Sequence, residues 1–408
     1  MQLGEITEPK IDQSGPPLSG DFTYVDIGSV DNEAKRIVEP KVMPVASAPS
    51  RARQRLRTGD VLVSMTRPNL NAVALVPPEL DGAIGSTGFH VLRASQHVLP
   101  KWLYYGAQTR QFVGEMSDLV QGALYPAVRP KDIRAFDLPV PMLDEQRRII
   151  AEIEKQFSRL DEAVANLKRV KANLKRYKAA VLAAAVKGRI GARGVASDDD
   201  LPISWQWSSV GELATVGTGA TPARSNEAFY RDGTIPWITS SAVNEPFVEA
   251  ADQFVTDEAL RQTNLTLYPP GTLLVAMYGE GKTRGKCSEL RIAATTNQAL
   301  AALHADPAVR SWLKLFLEQN YENTRRVASG GVQPNLNLGL IRSIKLPLPP
   351  LSEQHRIVAE VDWRLSILRA FVTEVDATLA RAQALRTATL TRAFAQPPEC
   401  HYPRGLDG

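Results

Sequence analysis

The chain of 408 residues carries only two cysteines, Cys287 and Cys400, and no Cys-x-x-Cys pair. That excludes a disulfide scaffold and a thiolate zinc site, and it leads us to expect a reducing, cytoplasmic setting. Histidine is almost as scarce: His90, His97, His304, His355 and His401 form no His-x-x-x-His pair and no cluster, so no metal centre is expected. Long apolar runs are missing too. Ala179–Val186 is far short of the roughly 20 residues that cross a bilayer, and the opening MQLGEITEPK has no secretory core, so no membrane role is expected.

Reaction motifs are equally lacking. Gly281-Lys282-Thr283 resembles the end of a phosphate-binding loop, but Ala276 stands where the upstream glycine is required. Gly217-Thr218-Gly219 has no third glycine and soon meets Pro222. There is no Asn-Pro-Pro-Tyr or Asp-Pro-Pro-Tyr for amino methylation and no Gly-x-Ser-x-Gly elbow. The chain offers binding surfaces and no reaction centre.

What is present is ordinary in bulk and unusual in order. Apolar residues make up 44% and charged residues 23%, and the length calls for two or more domains. A formal net charge of +4 permits a polyanionic partner without demanding one. The decisive feature is an internal repeat. LPVPMLDEQRRIIAE at 138–152 and LPLPPLSEQHRIVAE at 346–360 are identical at ten of fifteen positions, an offset of 208. At that offset Gly122, Pro126 and Ile133-Arg134 meet Gly330, Pro334 and Ile341-Arg342, and Leu182 and Ala185 meet Leu390 and Ala393. Looser echoes link residues 59–65 to 271–277 and Gly4-Glu5-Ile6 to Gly211-Glu212-Leu213. The chain is two copies of one unit, a globular part followed by a helix.

Each Leu-Pro-x-Pro run bars an earlier helix, and Asp144 and Ser352 are expected N-caps with Glu145 and Glu353 in the first turn. Apolar residues then alternate at three and four: Ile153, Phe157, Leu160, Val164 and Leu167, continuing to Leu174 and Val181. In copy two they are Val361, Leu365, Leu368, Val372 and Val375, continuing to Leu379. These are heptad seams, and the repeat maps one onto the other. Two such seams in one chain predict an antiparallel coiled coil, each helix about 65 Å long at 1.5 Å per residue. Between Ala163 and Arg189 no acid occurs, against Lys168, Arg169, Lys171, Lys175, Arg176, Lys178, Lys187 and Arg189. Such a run suits either a solvated face or a phosphate backbone.

The parts before the helices read as α+β. Strands are expected at Tyr24–Ile27, Val61–Met65, Val73–Val76, Phe89–Leu92, Ile235–Thr239 and Thr272–Met277, and helices at Pro100–Thr109 and Ala308–Asn320. The predicted division is 1–137 and 201–345 for the globular parts, 138–190 and 346–396 for the helices, 191–200 for a linker and 397–408 for a tail. Polar turns stand at matching places. Copy one offers Arg67, Asn69 and Asn71, then Tyr125 and Arg129; copy two offers Tyr278, Lys282, Arg284 and Lys286, then Gln333, Asn335 and Asn337. Arg and Lys can read guanine and Asn and Gln adenine, so these are candidate base readers; ordinary loop drift between duplicated domains is the alternative.

Two globular halves, each followed by Leu-Pro-x-Pro-x-Leu-x-Glu-Gln-x-Arg-Ile and a long helix, resemble the specificity subunits of type I restriction–modification systems. Leu201-Pro-x-x-Trp205, Gly211-Glu212-Leu213 and Thr296-Asn297-Gln298-Ala299 share the likeness; copy one shows no counterpart of residues 201–207. The resemblance implies two target recognition domains, each reading half of a bipartite, asymmetric site in double-stranded DNA. It implies a non-catalytic chain whose paired helices set the gap between half-sites and dock two methyltransferase subunits, with restriction (motor) subunits joining that core. S-adenosylmethionine, ATP and Mg2+ would then be used by those partners and no cofactor bound by this chain. A scaffold that no longer reads DNA and a self-contained enzyme are the competing readings; intact polar loops speak against the first and the missing motifs against the second.

Overall fold

The structure, a computed structural model, describes residues 1–122, 126–190, 201–279, 283–328 and 335–395. Cys400, the linker 191–200 and the tail 397–408 lie outside the described residues.

In chain order the first half forms α1 (Leu3–Ile6), β1 (Asp21–Val25), β2 (Val30–Asp31), β3 (Arg36–Ile37), β4 (Lys41–Pro44), β5 (Ala52–Arg55), β6 (Val61–Ser64), β7 (Val73–Leu75), β8 (Ile84–Ser86) and β9 (Phe89–Leu92). Then come α2 (Pro100–Gly106), α3 (Arg110–Asp118), α4 (Pro130–Arg134) and the long α5 (Leu143–Val186). The second half forms β10 (Gln206–Ser209), α6 (Val210–Leu213), β11 (Ala214–Thr218), β12 (Ile235–Ile238), β13 (Phe247–Val248), β14 (Phe254–Val255), α7 (Asp257–Gln262), β15 (Leu273–Ala276), β16 (Cys287–Leu290), β17 (Thr295–Thr296) and β18 (Leu300–Ala305). It closes with α8 (Pro307–Gln319), α9 (Tyr321–Ala328), α10 (Leu338–Arg342), β19 (Lys345–Leu348) and the long α11 (Leu351–Ala395).

The chain divides into two compact units, Met1–Lys168 with Val375–Gly408, and Arg169–Glu374. The division passes through both long helices, so each unit holds the start of one and the end of the other.

Both units are built on one plan. The apolar run of β6 is buried on both faces: Val61 and Val63 enter a core with Trp102 and Ile133, and Leu62 enters another with Val25 and Phe89. A strand covered on both sides reads as a continuous apolar run, as this one does. β15 repeats the arrangement, Leu273 and Val275 one way and Leu274 and Ala276 the other. β6 pairs antiparallel with β7 and β9, and β15 with β16 and β18. Beside them β1 runs parallel to β8 and antiparallel to β4, as β12 runs parallel to β17 and antiparallel to β14. The expected strands and helices occur within a residue or three of their bounds, and the fold is the α+β pair with long antiparallel helices.

The repeated motif has a repeated geometry. The Trp102 indole donates to the Pro139 carbonyl and the Trp312 indole to that of Pro347, both at 2.9 Å. The Gln146 amide donates to Pro141 and that of Gln354 to Pro349, both at 2.8 Å, and both glutamines are buried. The glutamine of the motif therefore satisfies a proline-run carbonyl beside a helix start, a group with no partner of its own inside the helix. The expected caps are corrected here: α5 begins at Leu143 and α11 at Leu351, so Asp144 and Ser352 lie inside the first turn.

Within the first unit Ile153 and Phe157 are buried and Leu160 half-buried in one core with Leu390, Ala393 and Phe394. Thr389 donates to Gln156 at 3.1 Å, and Arg386 pairs with Asp161 at 2.7 Å while its guanidinium lies 3.9 Å from the centre of the Phe157 ring. Contacts that ascend one helix descend the other, which is antiparallel packing. Within the second unit Val181, Leu182 and Ala185 share a core with Val361, Leu365 and Leu368. Val164, Leu167 and Val372 are half-buried and Val375 is buried.

One half-buried histidine makes the first unit acid-sensitive. His90 on β9 has an Nε2 that is buried without a hydrogen-bond partner. Burial, with Arg134 nearby, pushes its imidazole from the ordinary 6.5 down to about 4. The unfolded chain therefore takes up a proton as pH falls through 6.5 while the folded chain does not until about 4. Stability present above 6.5 is lost between those values, on the order of 3 kcal/mol at the low end by the usual 1.36 kcal/mol per unit. The pairing places Ala301 where copy one has His90. Thermal melts at pH 7.5 and 5 should show an acid shift that is largely abolished by His90→Leu; equal shifts in both proteins would refute this origin.

Candidate nucleic-acid interface

The polar turns grow from the ends of the two central strands. In the first unit Val128 N–H donates to the Met65 carbonyl at 2.8 Å and Arg67 N–H to that of Pro126 at 2.9 Å, bringing the β6–β7 connection beside residues 126–129. In the second unit Leu336 N–H donates to the Met277 carbonyl at 3.1 Å, bringing the β15–β16 connection beside residues 335–337. The same backbone bond thus holds both pairs of turns.

In the first unit the β6–β7 connection is a single 3-10 turn, Pro68–Leu70. Arg67 (φ 48°) and Asn71 (φ 47°) bracket it, both in the left-handed region. Asparagine tolerates that conformation; arginine rarely adopts it. Arg67 and Asn69 are exposed at the tip. Asn71 faces inward: its amide donates to the Ala107 carbonyl at 2.8 Å and its Oδ1 accepts from Lys35 Nζ at 2.9 Å. Arg129 is exposed but engaged, its Nε 3.1 Å from Asp132, whose carboxyl is held below its ordinary range by the Arg129 side chain.

In the second unit Tyr278 and Asn335 are exposed, and Arg284 is half-buried. Lys286 Nζ donates to Asn244 at 2.7 Å. Asn337 caps α10, accepting from Leu340 N–H at 2.8 Å. Tyr125, Lys282 and Gln333 lie outside the described residues. The structure therefore gathers Arg67, Asn69 and Arg129 in one unit and Tyr278, Asn335 and Asn337 in the other. It assigns Asn71, Asn337 and, through Asp132, Arg129 to holding the frame.

Two features went unread in the sequence. Lys35, on the β2–β3 hairpin, is linked to the β6–β7 turn across 36 positions, and no local pattern announces it. Trp363, Ile367 and Phe371 are exposed on α11 at a spacing of four, so they form an apolar stripe on one face. That spacing was legible and was masked by the stronger seam. The basic residues Lys168, Arg169, Lys171, Lys175, Arg176 and Lys178 are exposed on α5. Among the described residues no cluster suited to a metal occurs, and no helix is long and apolar enough to cross a membrane.

Comparison with known proteins bears on this arrangement. The family described as type I restriction modification DNA specificity domain matches residues 202–363. The specificity subunit of the Escherichia coli type I restriction enzyme EcoR124I/EcoR124II is 25% identical over 173 residues, 41% of this chain and 43% of that protein. The StySPI specificity subunit of Salmonella potsdam is 21% identical over 321 residues, 74% of this chain and 66% of that one. The chain thus matches less than two thirds of the length of either. Among solved structures, a chain from work on complex assembly and conformational transition of the type I R-M system superposes with a TM-score of 0.81 at 27% identity, covering 98% of this chain and 97% of that one. The HsdS subunit from Thermoanaerobacter tengcongensis superposes with a TM-score of 0.56 at 29% identity, covering 98% and 96%. In its doubled motif, its doubled frame and its fold, the chain is similar to the specificity subunits of type I restriction–modification systems.

Proposed function

We propose that this chain is the non-catalytic DNA-reading subunit of its complex, each unit binding one half of a bipartite, asymmetric site in double-stranded DNA. The observation that carries the reading is the doubled frame with unlike tips. The Val128–Met65 and Leu336–Met277 bonds match, yet one frame presents Arg67 and Asn69 and the other Tyr278 and Asn335. Two readers of different sequences need a shared scaffold and divergent polar ends. The paired helices set the gap between half-sites and seat two methyltransferase subunits. The exposed Trp363–Ile367–Phe371 stripe supports such docking, since an apolar face on a charged helix is suited to a partner's helix. Restriction subunits join that core, S-adenosylmethionine, ATP and Mg2+ are used by the partners, and the assembly works where the DNA is, in the cytoplasm.

The test is selection from a randomised duplex library by the full chain with its methyltransferase, at several salt concentrations. Two short conserved blocks separated by a fixed unconserved gap should emerge, and affinity should fall steeply with salt, with a log–log slope of about −0.9 per phosphate neutralised. Removing one heptad from each helix, roughly 10 Å, should change the gap and leave both blocks intact. One continuous block, or no enrichment, would refute the reading; an unchanged gap would refute the ruler.

A further inference from the structure

Resting on that reading, we propose that Lys35 is a positioning residue for DNA recognition by the first unit: bonded to Asn71, it fixes the turn that presents Arg67 and Asn69 and does not itself touch DNA.

The observations begin with the turn. A tip of three residues bracketed by two side-chain-bearing residues in the left-handed region persists only where its surroundings hold it. Lys35 supplies that hold at one end. Its ammonium donates to both the carbonyl and the Oδ1 of Asn71, the latter at 2.9 Å. The Asn71 amide passes the link on to the Ala107 carbonyl, just beyond α2. Lys35 is itself pinned: its N–H donates to the Asp31 carbonyl across the β2–β3 hairpin, and its carbonyl accepts from the Tyr104 hydroxyl on α2 at 2.9 Å. A hairpin, a helix and a reading turn thus meet at one half-buried ammonium. A lysine meant to contact phosphate would extend its charge into solvent; this one turns it inward onto two oxygens of a single residue.

The chemistry gives the arrangement a signature. The charged and titratable groups facing Lys35 are Asp31 on its own hairpin, Arg386 on α11 and the Tyr104 hydroxyl on α2. Burial, with repulsion from Arg386 and against attraction from Asp31, brings the ammonium down to about 8. Charge-assisted bonds are shorter and stronger than neutral ones. Above pH 8 the bond to Asn71 loses that assistance, and the tip loosens.

The experiment is library selection with the full chain and its methyltransferase, for wild type, Lys35→Met, Lys35→Arg and Asn71→Ala. Lys35→Met is expected to relax discrimination about tenfold at one or two base pairs of one half-site, the scale of a single mismatch. The other half-site and the salt slope should be unchanged. Asn71→Ala should act alike, and the double variant should be no worse than either single one. Lys35→Arg should retain discrimination and be insensitive to pH from 7 to 9, whereas wild type should lose it over that range. A uniform loss across sequences with a salt slope reduced by about one would show Lys35 bound to phosphate and overturn the proposal. So would two intact half-sites in Lys35→Met. Should Lys35→Met fail to fold, Asn71→Ala and the wild-type pH series decide the matter alone. A wild-type pool without enrichment would instead sink the DNA-reading function, and this inference with it.

Discussion

Asp60→Ala is expected to destabilise the first unit by about 3–5 kcal/mol, the scale for removing one partner of a buried ion pair. Asp60 is 1% exposed at its side chain and Arg93 9%, and they meet through two parallel bonds of 2.7 Å. Asp60 also accepts from Arg57 N–H at 2.8 Å, and Arg93 reaches the Arg55 carbonyl at 3.2 Å. Both carboxylate oxygens are therefore occupied, and deletion would leave a guanidinium in the interior with one carbonyl and the more distant Glu8, 3.6 Å away, for company. The second unit shows what the site needs. Val61 faces Leu92 as Leu273 faces Leu303, so Thr272 and His304 occupy the places of Asp60 and Arg93. Thr272 satisfies its hydroxyl on the Pro269 carbonyl at 2.8 Å, without a charge. The pair is thus one solution for this strand end and not a requirement of the fold. The double variant Asp60→Thr with Arg93→Leu should recover most of the loss, because removing both charges also removes their desolvation. Denaturant unfolding of wild type and the two variants would decide it. A single Asp60→Ala variant within 1 kcal/mol of wild type would mean that water reaches Arg93.

The same comparison shows what the sequence could and could not disclose. The central strands were legible because Val61-Leu-Val and Leu273-Leu-Val are runs that only a two-sided core accommodates. The long helices were legible because a heptad seam repeats locally. The repeat itself exposed the architecture before any element was placed. Partners distant along the chain were not legible. Nothing local to β1 or β12 says that β8 and β17 lie parallel beside them. The helix starts were misread by a residue or two because both helices open on a leucine, Leu143 and Leu351, one residue ahead of the polar side chains whose type suggests a cap. At the candidate interface the residue types were read correctly as polar turns, but type does not separate tip from frame. Asn69 and Asn71 are the same amino acid two positions apart; one is exposed, and the other spends its amide on Ala107. Only the third dimension distinguishes a side chain offered to a partner from one consumed in holding its neighbour.

Trp102→Ala and Trp312→Ala are expected to cost about 3–5 kcal/mol each, the range for emptying a buried aromatic site. Trp102 is 1% and Trp312 0% exposed, and each loses, besides its packing, the donor to a carbonyl of the Leu-Pro-x-Pro run. Phenylalanine at either position should restore most of the packing and leave that carbonyl unpaired, a residual cost of about 1–3 kcal/mol. Equal losses follow from the duplication; unlike consequences follow from the neighbours. The Trp102 ring lies 4.5 Å from that of Phe394, near the end of α11, whereas the Trp312 ring lies 5.5 Å from Trp205, edge to face, just ahead of β10. Trp102→Ala should therefore fray the last turns of α11, read as faster amide exchange across residues 385–395, and Trp312→Ala should free the segment around Trp205 instead. The indole in each unit is the bolt between a head and a helix, and the head determines which helix end it fastens. Exchange that quickens at the α11 terminus to the same degree in both variants would show that the two indoles have no such local assignment, and that the long helices respond to either loss as one body.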